Sequence, residues 1–98
     1  MADGLSDQEL KIIRDTLDRF SEIDKAILFG SRASGRHKKG SDVDIALMGP
    51  SVNEKTVYKV KDLLNEETPM PYFFDVILFS SIRNERLKRQ ILEEGREI

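Results

Sequence analysis

The sequence predicts an α+β domain of two layers, a small mixed three-stranded sheet with helices packed on one face. Two observations point there. Apolar residues recur at helical spacing near residues 6–20, after Ser51 or Asn53, and again up to about Glu94, while three β-prone runs at 24–29, 42–48 and 72–79 alternate with them. The chain is also too short, at 98 residues, to divide, so residues 1–98 are expected to form a single domain.

The first helix is expected over residues 6–20. Ser6 and Glu9 fit a capping box, with Leu5 and Leu10 at the two positions of a hydrophobic staple. Leu10, Ile13, Leu17 and Phe20 form its apolar stripe. The run Ile27, Leu28 and Phe29 reads as a buried strand that Gly30 ends, and Ser31 is placed to cap a short helix through Arg36. A charged loop over 37–41 follows. The next strand alternates, with Val43, Ile45 and Leu47 on one face and Asp42, Asp44, Ala46 and Met48 on the other.

Gly49 and Pro50 stop that strand. Ser51 with Glu54 fits a second capping box, and Asn53 is the competing cap. Val57, Val60 and Leu64 give the second helix its stripe, and Pro69 and Pro71 end it. Residues 72–79, YFFDVILF, are the most β-prone stretch. A last helix should turn Leu87 and Ile91 inward, with Gly95 as the C′ residue.

Composition excludes several classes. With 39% hydrophobic and 35% charged residues the chain fits a globular protein rather than a disordered one, no apolar run approaches membrane-spanning length, and there is no cysteine for a disulfide or a thiolate metal site. The N-terminal segment is polar and lacks the apolar core of a signal peptide, so a cytoplasmic protein is expected. A net charge of −2 argues against a general nucleic-acid binder. The charge is unevenly placed, however. Residues 26–41 contain Arg32, Arg36, Lys38 and Lys39 and no acid, and Asp42 and Asp44 follow at once. A basic loop beside an acidic strand end suits an anion carried with a cation. His37, Lys38 and Lys39 read as solvated residues of that loop.

Three features then bear on chemistry. At Gly30 and Ser31 a strand ends on a glycine that lets backbone approach a ligand, the following N–H groups can meet phosphate, Ser31 adds a hydroxyl, and Arg32 or Arg36 adds charge. Taken alone, this is also what an ordinary strand-to-helix turn looks like. Asp42 and Asp44 lie two residues apart on one strand face, close enough to share a cation such as Mg²⁺, and taken alone would equally suit a solvent-facing edge. Asp75 interrupts an apolar strand, where a carboxylate is costly unless it has a task. It is either a charge that protects a sheet edge or a third ligand, placed to take a proton from an attacking hydroxyl.

The spacing joins the three. Gly30-Ser31, ten intervening residues and Asp42-Val43-Asp44 match the G-S-x10-D-x-D signature, so the chain resembles the DNA polymerase β-like nucleotidyltransferase superfamily. The run GSRASG…GSDVDI is similar to its minimal nucleotidyltransferase (MNT) branch, and the resemblance covers essentially the whole chain. Ser34 stands where family members usually have arginine and Ile45 where leucine is frequent; neither change touches a proposed ligand.

The resemblance implies a polymerase β-like core and Mg²⁺-dependent transfer of a nucleoside monophosphate, AMP from ATP, to an acceptor hydroxyl with release of pyrophosphate. Gly30, Ser31 and Arg32 would bind the triphosphate, Asp42 and Asp44 would hold two Mg²⁺ ions, and Asp75 would complete the second metal site and orient the nucleophile. Small MNT proteins pair with a helical HEPN protein, so a HEPN-type partner and an antitoxin role are implied. The alternative is a non-catalytic module that neutralises or scaffolds such a partner. It draws on a strip of Phe73, Ile77 and Phe79 expected beside the acidic face, which is covered either by the C-terminal segment or by the partner.

Overall fold

Local signals decide where the helices begin. In the computed structural model, which describes residues 4–35 and 42–98, Ser6 and Glu9 close the expected box, with Ser6 N–H donating to Glu9 Oε1 at 2.9 Å and Glu9 N–H donating to Ser6 Oγ at 3.1 Å. Helix α1 spans Asp7–Leu17. It stops short of Phe20 because Arg19 and Phe20 donate to Thr16 and Leu17 in tighter turns, which still bring Phe20 against the core. Strand β1 covers Lys25–Phe29 and strand β2 covers Val43–Met48.

Helix α2 spans Glu54–Glu66 and is capped by Asn53, whose side chain accepts from Thr56 N–H at 3.0 Å. Asn53 therefore takes the role that Ser51 competed for. Strand β3 is Phe74–Leu78, shorter than the β-prone run, because Phe79–Ser81 turns into a 3₁₀ segment. Helix α3, Glu85–Glu94, is capped by Asn84, which accepts from Arg86 and Leu87 N–H.

The sheet has four strands rather than three, in the order β3-β2-β1-β4, where β4 is Arg96–Glu97. The fourth is short and charged and carries no apolar signal; it forms because Gly95 leads the chain straight off α3 alongside β1. Strands β1 and β4 pair antiparallel with their neighbours, and β3 lies parallel to β2 after the α2 crossover, so the sheet is mixed. Gly95 is not a left-handed C′ residue, since its φ is −69°. A Cβ there would come within 2.4 Å of Ile27 Cγ2 and 2.2 Å of Ile91 O, so glycine serves close packing instead.

Two apolar layers flank the sheet. The larger buries Leu10, Ile13, Leu28, Val43, Ile45, Leu47, Val57, Val60, Leu64 and Phe74 under α1 and α2. The smaller gathers Ile27, Ala46 and Ile91, with Leu87, Ile77 and Phe79 against them. Helix α3 thus covers part of the opposite face, a correction to the expectation of helices on one face alone. The reason is that β1 and β2 present Ile27 and Ala46 there, and an apolar surface of that kind must be covered. The expected strip is likewise divided: Ile77 and Phe79 pack under α3, while Phe73 stays 52% exposed. Among the described residues, no helix is long and apolar enough to cross a membrane.

Candidate active site

Strand register assembles the acidic face. Asp44 stands opposite Phe29 of β1 on one side and Asp75 of β3 on the other. The two carboxylates are therefore cross-strand neighbours on a parallel pair, and Asp42 lies two residues before Asp44 on the same face. Burial pushes the Asp44 carboxyl above its ordinary range, and the negative charges of Asp75 and Asp42 push it further. The fold thus holds like charges close together at a half-buried point, which is unfavourable without a compensating cation.

The turn after β1 closes on the same point. Gly30 has φ +80°, and a Cβ built on it would sit 2.5 Å from Asp44 Oδ2. Glycine is needed twice over, for the left-handed backbone and for the close approach to the carboxylate. The expected short helix is instead a run of turns over residues 30–35, in which Ser34 N–H donates to Gly30 O at 3.2 Å and Gly35 N–H to Arg32 O at 3.3 Å. Two glycines with positive φ, Gly30 and Gly35, bound this run and keep it from winding into a helix. Ser34 Oγ donates to Ser31 O at 3.2 Å, a brace available to the serine that stands in place of arginine. Arg36, His37, Lys38 and Lys39 lie outside the described residues.

Arg32 is placed differently from its neighbours. It is 2% exposed, with its guanidinium 4.5 Å from the centroid of the Tyr72 ring. The Tyr72 hydroxyl donates to Glu9 Oε1 at 3.2 Å, and burial together with that carboxylate raises the phenol above its ordinary value. Of the residues singled out from the sequence, Gly30, Ser31, Asp42, Asp44 and Asp75 retain access to solvent, and Arg32 is buried.

Two further side chains support the site. Lys61 of α2 reaches round the β3 edge to place Nζ 3.6 Å from Asp75 Oδ1 and 5.3 Å from the Phe73 ring centroid. Both partners of this pair are exposed enough that it contributes at most about 1 kcal/mol. Asn65 donates from Nδ2 to Phe74 O at 2.9 Å and accepts Phe74 N–H on Oδ1 at 2.8 Å, fixing the start of the strand that carries Asp75. Asn65 had one signal in the sequence, an amide of low helix propensity inside an otherwise good helix. Lys61 had none.

The donor set suits Mg²⁺, since it consists of carboxylate oxygens in mutual repulsion. Among the described residues no group of three or more His, Cys, Asp or Glu side chains is gathered into a metal site.

The comparisons with known proteins bear on the same elements. A family model, polymerase beta nucleotidyltransferase, matches residues 11–98. The chain belongs to this family. The nucleotidyltransferase domain has solved structural neighbours. One is a chain of a toxin–antitoxin complex with AMP-PNP, at TM-score 0.71 and 22% identity, covering 90% of this chain and 69% of the other. Another comes from a complex of tri-AMPylated Shewanella oneidensis HEPN toxin with an MNT antitoxin, at TM-score 0.63 and 20% identity, over 90% and 66% of the two chains. A nucleotidyltransferase-like protein from Sulfolobus solfataricus aligns at TM-score 0.51 and 19% identity over 89% and 72%. A search of the curated proteins found no match. At these identities the neighbours establish the nucleotidyltransferase fold.

Proposed function

We propose that this nucleotidyltransferase transfers AMP from ATP to a hydroxyl of a HEPN-type partner protein, in the role of antitoxin. The observation that carries the reading is the meeting of Asp44 with Asp75 across β2 and β3, closed by the Gly30 backbone against Asp44. The neighbours named above, one with AMP-PNP and one with an AMPylated toxin, support the choice of nucleotide and partner.

Each residue has a part in that chemistry. The turn over residues 30–35 would receive the triphosphate, with the Ser31 hydroxyl donating to a phosphate oxygen. Asp42 and Asp44 would hold Mg²⁺, and Asp75 would join them at a second ion. Bound Mg²⁺ supplies positive charge that offsets the triphosphate and the crowded carboxylates. The acceptor oxygen then forms a bond to the α-phosphorus as the bond to the pyrophosphate oxygen breaks. Asp75, on the outer strand and reachable from solvent, would take the acceptor proton.

The test is transfer of label from [α-³²P]ATP in Mg²⁺ to a co-expressed HEPN-type partner. Label should appear on the partner with the wild type and fall at least a hundredfold with Asp44→Asn or Asp75→Asn, on the usual scale for lost catalytic groups. No transfer by the wild type, or full transfer by both variants, would overturn the reading.

A second reading, a binding module without transfer, is favoured by the exposed aromatics Phe73 and Tyr58, at 52% and 71%, which flank Lys61 near the β3 edge. It predicts that Phe73→Glu abolishes partner binding whereas Asp44→Asn preserves it. Ile77 does not serve this test, because it packs against the smaller core.

A further inference from the structure

Arg32 is an anomaly in the turn. A guanidinium is always charged and needs partners when buried, and here it is almost wholly removed from solvent immediately after the residues proposed to meet phosphate. Its Cζ lies over the Tyr72 ring, 4.5 Å from the centroid, a position in which a desolvated cation is attracted strongly by the ring. The ring is itself fixed at both ends. Its hydroxyl is tied to Glu9, which also caps α1 through Ser6, and its edge meets Phe74 in a T-shaped contact at 6.5 Å.

Tyr72 therefore touches three separate parts of the molecule. Through Arg32 it reaches the turn, through Glu9 the start of α1, and along the chain it leads into the strand bearing Asp75. The next residue, Phe73, accepts the Val43 N–H at 2.9 Å, so the same segment also fixes the entry of β2 between Asp42 and Asp44. The turn is short, is closed by the Ser34 N–H to Gly30 O and Gly35 N–H to Arg32 O bonds, and is bounded by two glycines with positive φ.

We propose that Tyr72 is a positioning residue for nucleotide binding: its ring seats Arg32 and so fixes the turn over residues 30–35 beside Asp44. Glu9 holds the ring in place. This inference rests on the nucleotidyl-transfer reading for its functional half, and its structural half stands without it.

The experiment compares Tyr72→Leu with Tyr72→Phe in the full chain. Amide hydrogen exchange is followed at Ser34 and Gly35, and binding of AMP-PNP with Mg²⁺ is followed by calorimetry. Tyr72→Leu removes the ring face, and exchange in the turn should rise about tenfold while the core amides of β1 and β2 stay protected. Nucleotide should bind about tenfold more weakly. Tyr72→Phe keeps the face and loses only the tether to Glu9, so it should fall between wild type and Tyr72→Leu in both measurements. Unchanged exchange in Tyr72→Leu, or equal losses in the two variants, overturns the positioning role whatever the wild type binds. If the wild type binds no AMP-PNP while turn exchange responds as expected, the nucleotide reading is overturned and Tyr72 is left holding the turn for another purpose.

Discussion

A methyl group at position 30 would have to share space with the Asp44 carboxylate, and the backbone there would have to keep a φ of +80°. Gly30→Ala should accordingly cost about 1–2 kcal/mol from the left-handed backbone, before any displacement of Asp44 is counted. Thermal unfolding should show a fall of roughly 5–10 °C, and calorimetric titration should show loss of Mg²⁺-dependent AMP-PNP binding. Asp44 has the opposite sign. Its carboxyl is raised in the folded chain above its ordinary 3.8, so the fold disfavours its ionised form. The resulting penalty is absent below the unfolded value and grows as pH rises through the folded one. Asp44→Asn should therefore raise the Tm at pH 7 and leave it nearly unchanged below the ordinary carboxyl range. A Tm gain that is the same at both ends would show that repulsion is not its source. Gly30, Asp42, Asp44 and Asp75 were legible in the sequence because strand alternation and a fixed spacing place them on one face. The burial of Arg32 was not, since a basic residue after a phosphate-type turn reads as ligand-facing until the aromatic partner at position 72 is known.

At the level of elements, β3 is an edge strand whose start is held from outside the sheet. Asn65 supplies both a donor and an acceptor to Phe74, taking the place that a further strand would have. Asn65→Leu should remove both bonds at a cost of about 1–3 kcal/mol and leave a buried backbone pair unsatisfied. Exchange should then rise in β3 more than in β2, and transfer should fall with it if Asp75 takes the acceptor proton. Helices α1 and α2 could be read from caps and stripes, which are local. Strand β4 could not be, because Arg96 and Glu97 have no apolar pattern and pair with β1 only after α3 has docked. The side of the sheet chosen by α3 was equally hidden. It depends on Ile27 and Ala46 facing away from the main core, which becomes visible only with the register of β1 against β2.

For the molecule as a whole, the two apolar layers differ greatly in size, and the smaller one rests on Ile91. A domain of this length has a total stability of roughly 5–15 kcal/mol, so Ile91→Ala, at about 2–5 kcal/mol, should remove a large share of it. Gly95→Ala should act on the same layer by forcing α3 away from β1 at Ile27. Urea unfolding would show a lower midpoint in both variants. If α3 and β4 release separately, the slope would also fall, whereas an unchanged slope would show that both layers unfold as one. The parallel pairing of β2 with β3 has a kinetic meaning too. Asp44 and Asp75 lie about thirty residues apart in sequence and become neighbours only once α2 has folded across and β3 has docked. Closing that contact is slow compared with forming a hairpin, and it is also the step at which the two carboxylates first repel. The parallel pairing of the sheet is then the one opposed by the site's own charge. In stopped-flow refolding at neutral pH, Asp75→Asn should speed folding, and millimolar Mg²⁺ should speed the wild type more than the variant. A rate indifferent to both would mean that the acidic pair forms after the barrier, so that the chain commits to its fold before it meets the charge it was shaped to hold.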